Sequence, residues 1–435
     1  MKWSSAVIGS LALFAASSVE PTFAWSLSKS SQSRSSLRTD SSSVPTTASA
    51  FVPRSRAFLH RTTTTTTRFG NISAKRSTRN NNSHDRTLLA MSYTVGIVGA
   101  TGAVGQEIRN VLETRDFPVE RLRIFGSARS AGSTVATKYG DVTVELFDVA
   151  AAKQCDVVFL AVSGDFSLEH ARHLTQGDDA TVCIDNSSAF RYEADVPLVV
   201  PEINGAETKK SKLIANPNCT TAIALMALWP LHQLFGLKKV IMSTYQAASG
   251  AGQPGMDELT QGTQAYLNGE AVENNIFAHP LPFNVIPQID KFQSNGYTKE
   301  EMKVTWETRK ICGLPDDFPL SCTAVRIPTI RAHSESIVVE TERPVDVAAA
   351  RQALAQAPGV KLVDNTEQLE YPMPQTATGQ YDVEVGRLRK SIVYGDYGLE
   401  LFVCGDQLLR GAALNAVLVA EEMVTNGSLQ AKKTA

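Results

Sequence analysis

The chain has 435 residues, 43% of them hydrophobic and 20% charged, which excludes a disordered or fibrous protein and leaves room for two globular domains of ordinary size. Its formal net charge of −2 hides two unlike parts: residues 1–90 carry 12 Lys/Arg against 3 Asp/Glu, and residues 91–435 carry 30 against 41. So acidic a main part repels a phosphate backbone, and nucleic acid is not an expected partner.

After Lys2 comes an apolar run, Ala6 to Ala16, too short to cross a bilayer and followed by the small-residue pattern Thr22-Phe23-Ala24. This reads as a signal peptide. The sequence up to residue 90 is then rich in Ser, Thr and Arg, with a Thr run at 62–67 and three Asn at 80–82, and it lacks the apolar residues for a core. It reads as a transit peptide. Together the two resemble the bipartite presequences of algae with complex plastids, and "ASAFVP" at 48–53 resembles their ASAFAP motif, with Phe51 first after cleavage. Val52 departs from that motif, and the Ala24/Trp25 junction is a competing cleavage site. Simple secretion is the alternative, against which free thiols and a nucleotide site both argue. The expected destination is the plastid stroma. No other apolar run reaches membrane length, so no membrane partner is expected of the mature chain.

From Met91 the sequence changes character. "YTVGIV" (93–98) has strand length and runs into "GATGAVG" (99–105), so strand, glycine turn and helix follow in order. Such a turn lets backbone N–H groups at a helix N-terminus approach a pyrophosphate, and the helix dipole favours the anion. Gly99, Thr101, Gly102, Ala103, Val104 and Gly105 are the candidate cofactor residues, although G-x-x-G-x-x-G departs from the commoner G-x-G-x-x-G. The next strand, within "LRIFGSARSAG" (122–132), ends in Ser127, Arg129 and Ser130, where an NAD-binding fold places an acid on the ribose hydroxyls. A carboxylate there would repel a 2′-phosphate and a guanidinium can pair with it, so the expected cofactor is NADP. "CDVVFLAV" (155–162) and "ATVCIDNSS" (180–188) continue a parallel sheet, with a helical stretch around 168–174 between them.

The six cysteines (Cys155, Cys183, Cys219, Cys312, Cys322, Cys404) show no CxxC pair or His spacing of a zinc site, and no metal is expected. Only Cys219 has suggestive neighbours. It stands in "NPNCTT", directly before the helix-period apolar segment "AIALMALWPLHQLF", so it falls at or just before a helix N-terminus. Unpaired N–H groups there favour thiolate, the nucleophilic form.

"GATGAVG", "SARSAG", "DNSSAFR", "NPNCTT", "TYQAASGAG", "KEEMK" and "RIPTIRAHS" occur in the order found in aspartate-semialdehyde dehydrogenases, and the resemblance runs from Met91 onward. It implies NADPH-dependent reduction of L-4-aspartyl phosphate to L-aspartate 4-semialdehyde through a cysteine thioester, with release of phosphate, in lysine, threonine, methionine and isoleucine biosynthesis. It further implies Cys219 as nucleophile, His333 as acid/base with an intrinsic pKa of about 6.5, and Gln246 as the substrate-positioning amide. By the same resemblance Arg326 takes the substrate carboxylate bidentately, Glu300 its ammonium, and Arg191, Asn218 and Lys303 the phosphate. Ser249, Gly250 and Asn415 are implied near the nicotinamide.

The expected fold class is α/β: a Rossmann-type doubly wound NADP-binding domain (91–220), an α+β catalytic and dimerisation domain (221–405) with strands such as "KVIMSTY" and "ESIVVETE", and a C-terminal helix (406–435) returning to the first domain. A homodimer or homotetramer is expected. N-acetyl-glutamyl-phosphate reductases resemble this class in fold and thioester cysteine, and "NPNCTT" and "EEMK" favour the aspartyl enzyme. A non-catalytic NADP-binding redox sensor, with Cys219 as an oxidisable switch, is the alternative of another class. It would have no use for carboxylate-binding side chains.

Overall fold

The computed structural model describes residues 92–432; the presequence features at 1–90 lie outside them. Thirteen strands among the described residues form two sheets. The first is built from β1 (Tyr93–Val98), β2 (Val119–Gly126), β3 (Thr134–Thr137), β4 (Gly140–Leu146), β5 (Val157–Leu160), β6 (Val182–Asp185) and β7 (Leu213–Ala215), in the order β3-β4-β2-β1-β5-β6-β7. All its pairings are parallel except β3 with β4. β5 and β6 are buried at every residue and β1 at all but one, as strands covered on both faces must be.

The second sheet contains β8 (Leu237–Gln246), β9 (Leu320–Arg326), β10 (His333–Thr341), β11 (Val360–Leu362), β12 (Val383–Lys390) and β13 (Gly398–Gly405), ordered β11-β12-β13-β10-β8-β9 and largely antiparallel. Burial along β8 and β9 alternates, so this sheet has one covered and one open face. Ile241 and Tyr245 stand exposed on the open one.

Seven helices have ten or more residues among those described: α1 (Ala103–Thr114), α2 (Gly164–Leu174), α3 (Cys219–Phe235), α4 (Gly252–Leu267), α5 (Lys299–Cys312), α6 (Val347–Gln356) and α7 (Leu414–Thr425). α3 is apolar nearly all round because it lies between the sheets: Ile223, Ala227 and Leu231 share one buried cluster with Val98 and Leu160 of the first sheet and Val240 and Ile337 of the second. α5 begins with a capping box made by Thr298 and Glu301 and stops at Gly313 in the left-handed region, φ 62°. α7 returns to the first sheet, where Val417 and Ala420 pack with Ile97 of β1 and Ile108 of α1.

Three local readings of the sequence are corrected. The strand expected from Leu122 begins at Val119, and the β3–β4 hairpin has no counterpart in the expected elements. The segment from Asp406, read as one helix, has a π-helical turn at Leu409–Ala413 before α7. This turn packs on the start of α3, where an ordinary helical side chain would not fit.

Candidate active site

The glycine turn after β1 is shaped by contacts that exclude side chains. Gly99 has φ 84°, and a Cβ there would lie 2.4 Å from the Ala161 carbonyl oxygen; a Cβ on Gly105 would lie 2.3 Å from the Gly99 oxygen. Thr101 and Gly102 are exposed, Ala103 and Val104 half-buried. No side chain caps α1 at Gly102, so its first-turn N–H groups remain available to an anion. The strand order reverses beside β1, the position at which open α/β sheets bind nucleotides. The Gly99 N–H bonds the Phe125 carbonyl at the end of β2, which brings the Ser127–Ser130 turn alongside. Arg129 is exposed there and forms no ion pair among the described residues. This cradle fits a dinucleotide.

At the other end of the first sheet, β7 leads into α3 with Cys219 as its first residue and Asn218 as its cap. The Asn218 Oδ1 accepts from the Thr220 and Thr221 amides at 3.0 and 3.3 Å, and its Nδ2 donates to Glu300 Oε1 at 3.0 Å. Its backbone N–H donates to Glu307 Oε2 at 2.6 Å. Glu307 in turn accepts from Arg191 Nη1 at 3.1 Å, while Arg191 Nε and Nη2 donate to the Asn216 and Asn186 carbonyls. Arg191 is thus a buried brace under the loop that leads into Cys219, near enough for its charge to act on the thiol.

The second sheet contributes a row of side chains on its covered face. Gln246 of β8 pairs with Arg326 of β9, and Ser334 of β10 pairs with Tyr245, which sets His333 beside Gln246. Gln246 donates through Nε2 to Glu300 Oε1 at 3.2 Å, and its Oε1 accepts from Thr244 Oγ1 at 3.0 Å. Lys303 Nζ bonds the other Glu300 oxygen at 3.0 Å. Glu300 is therefore where α3, β8 and α5 converge. Arg326 Nη1 donates to the Ala247 carbonyl, and its guanidinium lies 5.5 Å from the Phe277 ring centre. A Cβ on Gly250 would sit 2.8 Å from Arg326 Nη1 and 3.3 Å from His333 Nε2, so a side chain here would press on both functional groups. Gly250, Phe277, Glu300, Lys303 and Arg326 line one cavity.

The electrostatics depart from the sequence expectation at two groups. Burial pushes the Cys219 thiol up to about 11, Glu300 adds to the rise, and Arg191 and the bond at Thr220 oppose it. The helix start is outweighed by desolvation and a neighbouring carboxylate. Burial lowers His333 to about 3, with Arg326 acting in the same direction. Its Nδ1 accepts from the Ala247 N–H at 3.0 Å, which places the ring proton on Nε2, and that buried Nε2 has no partner among the described residues. His333 is thus a neutral donor, its Nε2 turned toward Gly250 at the edge of the cavity. Burial would raise Glu300 as well, but Lys303, Asn218 and Gln246 hold it at about 2.

Three contributors escaped the sequence reading. A Cβ on Gly411, in the π turn, would lie 2.5 Å from Cys219 Cβ. Gln407 donates to the Ser249 hydroxyl and accepts from the Ala332 N–H at 2.8 Å, tying the Ser249 loop to the approach of β10. Glu307 follows Glu300 and Lys303 at i+7 and i+4, a one-face spacing on α5 from which its inward direction was readable. Asn415, placed by resemblance at the nicotinamide, is fully buried; its amide donates to the Val199 carbonyl and Asn216 Oδ1 and accepts from Arg410. It holds Asn216, one step behind the cleft. The halves are joined by Arg331, which bonds Asp406 and Glu107 of α1, each at 2.6 Å.

Residues 94–211 match the family model for the NAD binding domain of semialdehyde dehydrogenases, and residues 228–410 match that for the dimerisation domain. The aspartate-semialdehyde dehydrogenase of Synechocystis sp. is 44% identical over 336 residues, 77% of this chain and 98% of that protein. The Aquifex aeolicus enzyme of the same name is 44% identical over 342 residues, 78% of this chain and 99% of its own. In structure the chain is similar to Vibrio cholerae aspartate semialdehyde dehydrogenase II complexed with ASA, with a TM-score of 0.74, 40% identity, and coverage of 78% of this chain and 99% of that one. A glycine cradle beside β1, with a cysteine at the start of α3 and an imidazole and guanidinium carried by the second sheet, is thus found in a chain that belongs to the aspartate-semialdehyde dehydrogenase family, an oxidoreductase family.

Proposed function

We propose that the chain catalyses the NADPH-dependent reductive dephosphorylation of L-4-aspartyl phosphate to L-aspartate 4-semialdehyde through a thioester on Cys219. The observation that carries the reading is an oppositely charged pair lining one cavity, Arg326 and Glu300, close enough to a helix-start cysteine and to an imidazole for their charges to act on both, the imidazole's buried Nε2 having no partner among the described residues. Arg326 takes the substrate α-carboxylate and Glu300 its ammonium, which orients the acyl carbon toward Cys219. The Cys219 sulfur bonds to that carbon as its S–H bond breaks, the carbon–oxygen bond to phosphate breaks, and phosphate leaves against Lys303 carrying the thiol proton. A bound nicotinamide supplies the hydride that reduces the acyl group. His333 Nε2–H donates to the acyl oxygen as charge develops on it, and Gln246 holds the adjacent positions through Glu300. Breaking the carbon–sulfur bond returns the electron pair to Cys219 and releases the aldehyde.

Arg129, in place of a ribose-binding acid, supports NADP over NAD. The dimerisation-domain match and the open face of the second sheet, with Ile241, Tyr245 and Phe402 side by side, support a homodimer formed through that face. The basic, acid-poor first 90 residues support delivery to a plastid, where the aldehyde would feed lysine, threonine, methionine and isoleucine synthesis.

The test is NADPH formation from L-aspartate 4-semialdehyde and phosphate by the purified protein and by Cys219→Ser. Activity in the wild type and a loss of roughly a thousandfold or more in the variant, with NADP binding retained, is expected. An inactive wild type refutes the substrate; a fully active serine variant refutes the thioester.

A further inference from the structure

Lys303 is held by two carboxylates of unequal standing. Glu300 Oε2, at 3.0 Å, belongs to a residue that also accepts from Asn218 and Gln246 and is fixed on α5. Asp290 Oδ2, at 2.8 Å, comes from the loop between α4 and α5 and has Lys303 as its one partner among the described residues; Asp290 Oδ1 accepts, among the same residues, only from the adjacent Lys291 amide, at 2.8 Å. The Asp290 side chain is 28% exposed, against 8% for Glu300 and 13% for Lys303, so Asp290 approaches the ammonium from the open side of the cavity. Both Asp290 and Lys303 line that cavity beside Arg326. An ammonium group has three donors, and here two already face anionic oxygens. An incoming phosphate therefore meets a lysine already paired with two carboxylates.

We propose that Asp290 is an internal competitor for phosphate at Lys303, occupying the ammonium from the solvent side and easing the departure of phosphate when the acyl phosphate is cleaved. The inference rests on the reading of Lys303 as the phosphate group's partner. In the reductive direction phosphate is a product, and a loop carboxylate that re-pairs with Lys303 lowers the affinity of the anion left behind. In the opposite direction the same carboxylate raises the phosphate concentration needed. The equilibrium constant is untouched.

Asp290 has φ 68°, a conformation that Asn accepts as readily as Asp, so Asp290→Asn keeps the backbone and the Lys291 contact while removing the charge. Asp290→Gly suits the same φ and serves as a second variant. Oxidation of L-aspartate 4-semialdehyde by the full chain is measured with phosphate, semialdehyde and NADP each varied, for wild type, both Asp290 variants and Lys303→Gln. In the Asp290 variants KM for phosphate is expected to fall roughly 3- to 10-fold, with the other two KM values within about twofold, and phosphate becomes a correspondingly stronger product inhibitor of the reductive reaction. Lys303→Gln is expected to raise KM for phosphate roughly tenfold or more.

If Lys303→Gln leaves KM for phosphate unchanged, the reading of Lys303 fails and the proposal goes with it. If Lys303→Gln raises it while the Asp290 variants leave it unchanged or raise it, the competitor role alone is overturned. A selective rise in KM for the semialdehyde in the Asp290 variants would make Asp290 a ligand of the substrate ammonium, and that result also overturns it.

Discussion

The two sheets build their halves of the cleft from different materials. Beside β1 the surface is main chain: a glycine at φ 84°, a second glycine packed on the first, and a helix start that no side chain caps. On the second sheet the surface is side chain, with Asn218, Gln246 and Lys303 all donating to Glu300 while His333 and Arg326 are fixed through the Ala247 backbone. The first suits a large, chemically constant ligand bound through its phosphates, since N–H groups need no particular side chain. The second suits a small molecule whose every polar group must be matched, and there one lost partner leaves another buried group exposed to the full cost of desolvation.

Gly411 is where this division breaks down, because the catalytic half also depends there on a missing Cβ. Gly411→Ala would place a methyl 2.5 Å from Cys219 Cβ and 2.9 Å from its Cα, and backbone cannot yield as a side-chain tip can. We expect kcat to fall roughly a hundredfold or more with the NADP dissociation constant within about threefold, read from steady-state rates and titration calorimetry. Retention of kcat would show that the π turn is free to move away.

Arg129→Asp sharpens the comparison by changing the one charged side chain at the first half's cofactor edge. NADP should bind roughly tenfold or more weaker, NAD about as before, and KM for the semialdehyde should not change. Equal weakening of both nucleotides would remove the argument from the 2′-phosphate.

The smallest effect concerns stability alone. Glu335 lies two residues along β10 from His333, fully buried, with neither carboxyl oxygen bonded among the described residues, and burial raises its pKa well above 4.5. A carboxyl raised in this way gives its full contribution to stability below its unfolded value and loses it as pH rises toward the folded value. Glu335→Gln should therefore gain on the wild type in urea midpoint between about pH 5 and 8, and the difference should vanish near pH 4. A constant difference across that range would mean that Glu335 is bonded and ionised in the fold.

Much of this division was legible in the sequence, and the reasons are local. The glycine turn, the strands flanking it and the start of α3 at Cys219 are set by neighbours within a few residues, and they stand where the pattern puts them. The catalytic row was reachable only through family resemblance, since Gln246, Arg326 and His333 are far apart in the chain and meet by strand register. Glu300 and Lys303 could as well have decorated a solvated helix face; only the packing of α5 beside α3 turns them inward. Gly411 and Gln407 left no trace at all, because a glycine in an apolar helical stretch and a glutamine before it signify nothing until the π turn meets Cys219 and Ser249. The shifts at Cys219 and His333 were likewise hidden, as they depend first on how deeply each group is buried and then on charges, Glu300 and Arg326, brought close from distant parts of the chain.

The placement of α7 has a consequence for biosynthesis. Val417 and Ala420 complete the cluster around Ile97 and Ile108, so the apolar side of β1 and α1 leaves the ribosome long before the segment that covers it. The nucleotide half is consequently unfinished until α7 has emerged, and a nascent chain that has not yet made those turns carries a wet, adhesive face.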